Sequence, residues 1–313
     1  MKLLLVGQGL ILLALCAWIV RWPPRSAVGV LVQGAGSLLA VLALARIGLW
    51  LFPPWWTPWL AFTVIIVAIA INTRKVATLW PRSLIGWCGV LMFTAIGVGG
   101  AGLLVRVRLE SRLSTEPAAI RLASPLPAGR YLVVNGGGDR LINAHRASMD
   151  TTIVRLRDWR GNGSAVDIVA INALGLRASG VLPADPSRYA IHGVDVLAPC
   201  DGTVLIAVDG LPDQSPPNYD REHPAGNHVM IDCGVAHVVL AHLLQGSVRV
   251  AVGDRVSTGD TVGAVGNSGG TDEPHLHIHA QRPGPPSAPM AGDPLPILLW
   301  DRYLVRGDRV RVR

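Results

Sequence analysis

The chain has 313 residues, half of them apolar, with a formal charge of +7, nine histidines and four cysteines. That length exceeds one ordinary domain. The charge rests on arginine, because Lys2 and Lys75 are the only lysines. No basic run is interleaved with aromatics, which excludes a nucleic-acid partner, whereas a basic balance suits an anionic lipid surface or wall polymer.

Composition shifts sharply near Arg106. Before it lie four apolar stretches, 3–20, 27–51, 55–71 and 84–105, each close to the length of about 20 residues that crosses a bilayer. They predict an α-helical transmembrane region over 1–105 with about four spans. Arg46 either snorkels to the interface or ends the second helix near Ala45. The first stretch is not a cleaved leader, because no small-residue cleavage site follows it and further spans do. Arg21 and Arg25 in one loop, and Arg74, Lys75 and Arg82 in another, predict that both loops are cytoplasmic. The N-terminus and the C-terminal domain then lie outside a bacterial cytoplasmic membrane, although Arg106, Arg108 and Arg112 pull mildly the other way. The spans carry no Asp, Glu or His, which argues for an anchor over a transporter.

A linker is expected over 106–130, a β-rich domain over 131–300 and a basic tail over 301–313. Short runs of Val, Ile and Leu at 131–134, 165–171, 202–208, 228–233, 237–242, 261–265 and 275–280, separated by Gly, Pro, Asp and Asn, predict an all-β domain of antiparallel sheets, a barrel or sandwich. Cys16 and Cys88 fall in the spans. Cys200 and Cys233 lack zinc-ribbon spacing, and a disulfide between them is open if the domain is extracytoplasmic.

All nine histidines lie in the second part. In His275-Leu276-His277-Ile278-His279, alternation on a strand puts three imidazoles in one row. A buried row of this kind needs partners, and a zinc site supplies them. Asp167 interrupts the apolar strand 164–169, where a carboxylate also needs a partner such as a metal or an arginine. No His-Glu-x-x-His helix is present.

Several motifs run in order here: "VLAPCDGTV" at 196–204, Gly226-Asn227-His228-Val229, Ala241-His242-Leu243, "VAVGDRVSTG" at 250–259, Gly266-Asn267-Ser268-Gly269 and Pro274-His275-Leu276-His277. Over roughly 193–279 this succession resembles the lysostaphin/LytM-type zinc metallopeptidases. The resemblance implies that His277 is a Zn2+ ligand and that His275 and His242 are catalytic. It implies as substrate a peptide of peptidoglycan, in crosslinks or stems. His279 has no counterpart in the family pattern.

The family's other two ligands usually stand as His-x-Gly-x-Asp. His192 and Asp195 are one residue too close for that, and a one-residue slip on a strand reverses a side chain. A divergent branch separates the pair, and there His145 and Asp167 fit the metal roles. They are favoured, with His192 and Asp195 as the alternative. The departure leaves a second reading open, a degenerate scaffold that binds cell wall or acts with a regulatory protein partner. A biotinyl or lipoyl carrier, suggested by the hairpin at 252–266, is excluded because the soluble part has no lysine.

Overall fold

The computed structural model describes residues 2–113 and 119–313. The chain divides into two units, 1–109 and 110–313.

The first unit holds α1 (Lys2–Arg21), α2 (Ala27–Ile47) and α3 (Thr57–Thr73); α4 (Leu84–Leu113) runs on past Val105 into the expected linker. That linker also contains residues 114–118, which lie outside those described. Ser26 caps α2 by accepting from the Gly29 N–H, and the helix stops at Ile47, so residues 48–51 of the expected span are not helical. There the Trp50 indole donates to the Leu44 carbonyl.

Among the described residues two helices, Ala27–Ile47 and Leu84–Leu109, are long and apolar enough to cross a membrane, against the four spans expected. For the third stretch the difference is length. At 1.5 Å rise per residue, the 17 residues of α3 reach about 26 Å, short of a hydrocarbon core about 30 Å thick. Leu12, Ile19, Val41, Trp50, Ala61 and Ile65 form a core, while Leu10, Leu13, Leu31, Leu84, Ile85, Leu91 and Val98 are exposed.

The second unit is mostly β. Its strands are β1 (Ile120–Leu122), β2 (Gly129–Asn135), β3 (Val166–Ala170), β4 (Asp195–Leu197), β5 (Gly202–Val208), β6 (Asn227–Asp232), β7 (His237–Leu243), β8 (Arg255–Val256), β9 (Thr261–Ala264), β10 (Leu276–Gln281), β11 (Pro294–Leu295), β12 (Ile297–Leu299), β13 (Arg302–Tyr303) and β14 (Arg309–Val312). Among the described residues the main sheet has nine strands, in the order β14-β2-β3-β10-β7-β6-β5-β8 with β11 beside β10. Its pairings are antiparallel, and a parallel β1–β12 pair belongs to a smaller sheet.

The central strands β7 and β10 are covered on both faces. Val238, Val239, Leu240 and Ala241 are all buried, as are Leu276, Ile278 and Ala280. One face of the sheet carries the main apolar core, and the histidine row lies on the other. A disulfide joins Cys200, just before β5, to Cys233, just after β6, with Cα atoms 5.9 Å apart. The stretch expected as a basic tail is instead structured. Arg309-Val310-Arg311-Val312 alternates, and a half-buried edge strand suits that pattern, so β14 pairs with β2.

Candidate metal centre

The site is set by strand register. Antiparallel pairing of β3 with β10 puts Asp167 directly opposite His277. A bulge in β2 between Val133 and Asn135 then brings Asn135 opposite Asp167 on the other side. His145 arrives from a loop. Asn143, fully buried, donates from Nδ2 to the Gly137 and Ala165 carbonyls and accepts the His145 N–H at 3.1 Å. That clamp ties a short 3-10 segment (Ala144–Met149) to the start of β3 and aims its histidine at the sheet.

Asp167, 3% exposed, is the hub. His145 Nε2 donates to its Oδ2 at 2.8 Å and His277 Nδ1 donates to its Oδ1 at 3.0 Å. Asn135 Nδ2 donates to Oδ2 at 2.8 Å, and His275 Nε2 stands 3.6 Å from Oδ1. Ligand atoms of His145, Asp167 and His277 all lie within 4.8 Å of one another, so the group could hold a metal ion. The donor set fits zinc: two imidazoles and a carboxylate fill three tetrahedral positions and leave one open. Burying a carboxylate is costly, and a cation held beside it offsets that cost.

Electrostatics follow from burial and from Asp167. Burial alone lowers His145, but the adjacent carboxylate outweighs it and the net shift is upward. Burial raises Asp167, yet His145 and His275 hold it well below the usual carboxylate value. Burial pushes His277 down, and His242 and His279 well down, so these rings are neutral near pH 7.

His242, next to last in β7, has φ 63°, a left-handed conformation uncommon for a residue with a side chain. Two turns impose it. Its N–H donates to Ala225 O, its carbonyl accepts from Gly266 N–H, and its Nδ1 donates to Ser268 O at 2.9 Å. The turns press backbone to backbone: at Gly226 (φ 59°) a Cβ would collide with the Ser268 carbonyl. The Gly-Asn and Gly-Asn-Ser-Gly motifs are therefore one device that positions His242.

His275 Nδ1 donates to Glu273 O at 2.9 Å. Glu273 is itself held by a buried two-bond contact with Arg177. The His242 and His275 ring centroids are 4.8 Å apart, and those of His242 and His277 5.7 Å. His279 continues the row, with Nδ1 2.9 Å from His277 Nε2.

The alternative pair does not join this group. His192 Nε2 donates to Asp213 Oδ2 at 2.8 Å, and Asp195 is exposed with Arg249 at 3.4 Å. Sequence reasoning missed Asn135 and Arg306. Arg306 Nη2 donates to Asn135 Oδ1 at 2.9 Å, so a residue near the C-terminus orients the amide that contacts Asp167. Neither carries a local signal.

A cavity of about 170 Å³ opens against His145, His242, His277 and His279. It adjoins a groove of about 540 Å³ bordered by His145, Arg155, Trp159, Tyr219 and Arg221.

A β-sheet domain with a buried His–Asp–His group able to hold a metal ion is thus the class that fold and site define. Residues 188–289 match the model of Peptidase family M23, and the C-terminal unit carries a Peptidase M23 domain. The chain is 35% identical over 94 residues to Endolysin 2638A of Staphylococcus phage 2638A, spanning 30% of this chain and 17% of the endolysin. Solved structures similar to it include the catalytic domain of the antimicrobial peptidase lysostaphin from Staphylococcus simulans, at 22% identity and TM-score 0.25, covering 38% of this chain and 69% of that one. A zinc-containing peptidase from Vibrio cholerae is 18% identical with TM-score 0.22, covering 37% and 46%. The matched stretch contains His242, His275 and His277 but neither His145 nor Asp167.

Proposed function

We propose that this chain is a membrane-anchored zinc metallopeptidase that hydrolyses peptide bonds in peptidoglycan crosslinks or stem peptides. One observation carries the reading: Asp167 is buried between His145 and His277, with His275 and His242 beside them. His145, Asp167 and His277 would hold the metal. When bound there, zinc supplies Lewis acidity that polarises a peptide carbonyl and acidifies water.

The remaining chemistry belongs to His242 and His275. Each commits its Nδ1–H to a backbone carbonyl, which can only accept. In the neutral ring Nε2 is therefore bare, and His275 Nε2 has no hydrogen bond although it is buried. Two bare ring nitrogens facing one centre can take a proton from attacking water and return it to the leaving amine. Once protonated, either ring stabilises negative charge on the former carbonyl oxygen. The neighbouring groove has room for an extended peptide.

The anchor reading rests on the two long apolar helices and on the exposed apolar side chains of the first unit. Basic residues in the loops 21–25 and 74–82 favour an outer C-terminal domain. The Cys200–Cys233 disulfide favours the same oxidising side. The second reading, a wall-binding scaffold that acts with a regulatory partner, is favoured by one fact: two of the three ligand candidates lie outside the matched stretch.

The test uses the full chain in detergent. About one zinc per chain, lost in His277→Ala and Asp167→Ala but kept in Asp195→Ala, together with release of peptides from purified sacculi, supports the peptidase. A folded wild type that takes up no zinc sinks it and leaves the scaffold. Zinc uptake without hydrolysis also favours the scaffold.

A further inference from the structure

His279 is the most deeply buried ring of the row, 1% exposed, and the chemistry above gives it no task. Two buried polar atoms on this side of β10 have no hydrogen bond: His279 Nε2 and Gln281 Oε1. Buried groups of that kind are uncommon and call for a cause. Both belong to β10, two residues apart, so both side chains lie on the face that carries His277.

The Gln281 amide is not placed loosely. Its Nε2 donates to the Pro289 carbonyl at 2.6 Å, which fixes Oε1 as the free end. A Cβ on Gly161 would run into that Oε1, and one on Gly292 would press on Nε2, so the amide occupies a slot between two glycines.

Proton positions explain the orphan pair. Without metal, His277 Nδ1–H donates to Asp167, so the neutral ring has a bare Nε2, which accepts from His279 Nδ1–H. His279 Nε2 is then bare as well, and Gln281 Oε1 has no proton to offer it. Giving His277 Nδ1 to a metal requires that ring to carry its proton on Nε2 instead. His279 must then accept through Nδ1 and hold its own proton on Nε2, where Gln281 Oε1 can receive it. In this change His277 releases its Nδ1 proton to solvent and takes the Nδ1 proton of His279. His279 takes one proton from water at Nε2. Both rings stay neutral, and the two orphan atoms satisfy each other.

Resting on the metallopeptidase reading, we infer that His279 and Gln281 are positioning residues that hold His277 in its metal-binding tautomer, through a hydrogen-bonded row along β10 anchored at Pro289.

The experiment measures zinc affinity of the full chain in detergent by chelator competition, for wild type, His279→Phe, His279→Asn and Gln281→Leu. Phenylalanine keeps the ring volume and removes both nitrogens. Asparagine loses volume but puts an amide oxygen near the place of Nδ1. The expected result is an affinity about 10- to 100-fold weaker in His279→Phe, a smaller loss in Gln281→Leu and recovery of most of the affinity in His279→Asn. A residue that only fills space gives the reverse order, and that order overturns the inference. Nitrogen-15 histidine NMR of wild type supplies a second readout: His279 should carry its proton on Nδ1 without zinc and on Nε2 with it. A proton that stays on Nδ1 in both states overturns the inference while leaving the peptidase reading intact. No zinc uptake by wild type overturns both.

Discussion

Asn135 Nδ2 donates to Asp167 Oδ2 at 2.8 Å across a bulge in β2, and Arg306 donates to the oxygen of the same amide. The amide is thereby orientated, and the carboxylate is held on the side that faces His145. Loss of such an outer contact at a metal site typically costs 10–100-fold in affinity. Asn135→Leu is expected to weaken zinc binding by about tenfold without removing it, and Arg306→Met by less. Chelator competition on each variant is the check. An unchanged affinity in Asn135→Leu would show that Asp167 needs no such support.

Arg177 and Glu273 form a buried pair, with side chains 3% and 6% exposed and bonds of 2.7 and 2.8 Å. Removing one partner leaves a lone charge in the interior, which costs roughly 3–5 kcal/mol. Arg177→Met should lower the unfolding free energy by about that amount. Activity should fall further than stability explains, because the Glu273 carbonyl fixes the His275 tautomer. Denaturant unfolding beside peptide hydrolysis separates the two effects. A fully stable variant would mean that water has replaced the guanidinium.

The Cys200–Cys233 bridge closes a loop of 33 residues far from His277 in the sheet order. In the chain-entropy account a loop of this length is worth about 3–4 kcal/mol. The double substitution Cys200→Ser, Cys233→Ser is expected to destabilise by roughly that amount while leaving zinc affinity unchanged. A matching loss of metal would tie the bridge to the site.

Acid should destabilise the metal-free protein before any carboxylate is involved. Burial holds His228, His242, His277 and His279 below the usual imidazole value, so the folded chain resists protons that the unfolded chain binds. Their contribution is complete above about pH 6.5 and is lost as pH falls below it. His145, raised on balance by Asp167, works in the opposite sense, contributing below about pH 6.5 and losing that contribution as pH rises through its folded value. Asp167, held low, loses its contribution only in much stronger acid. With four rings against one, the unfolding midpoint should drop between about pH 7.5 and about pH 5.5. A flat or rising midpoint in chelator would refute this balance.

The histidine row was legible in the sequence because it depends on a strand period of two, a local property, and β10 carries His277 and His279 as that period requires. The two-part chain was legible in the same way, since hydropathy shifts near Arg106 and the units divide at 109. Span number was not, because it depends on where helices start and stop, and the third helix closes at Thr73 after 17 residues. The position of His145 beside Asp167 depends on bonds that Asn143 makes 6 and 22 residues away. Which of the two acidic candidates faces His277 was decided by register: β3 lies against β10, while His192 turns to Asp213. Asn135, Arg306, Arg177 and Glu273 escaped sequence reading for the same reason. Hydrogen bonds between residues 32 to 171 positions apart leave no periodic trace along the chain, and only the packed sheet brings the partners together.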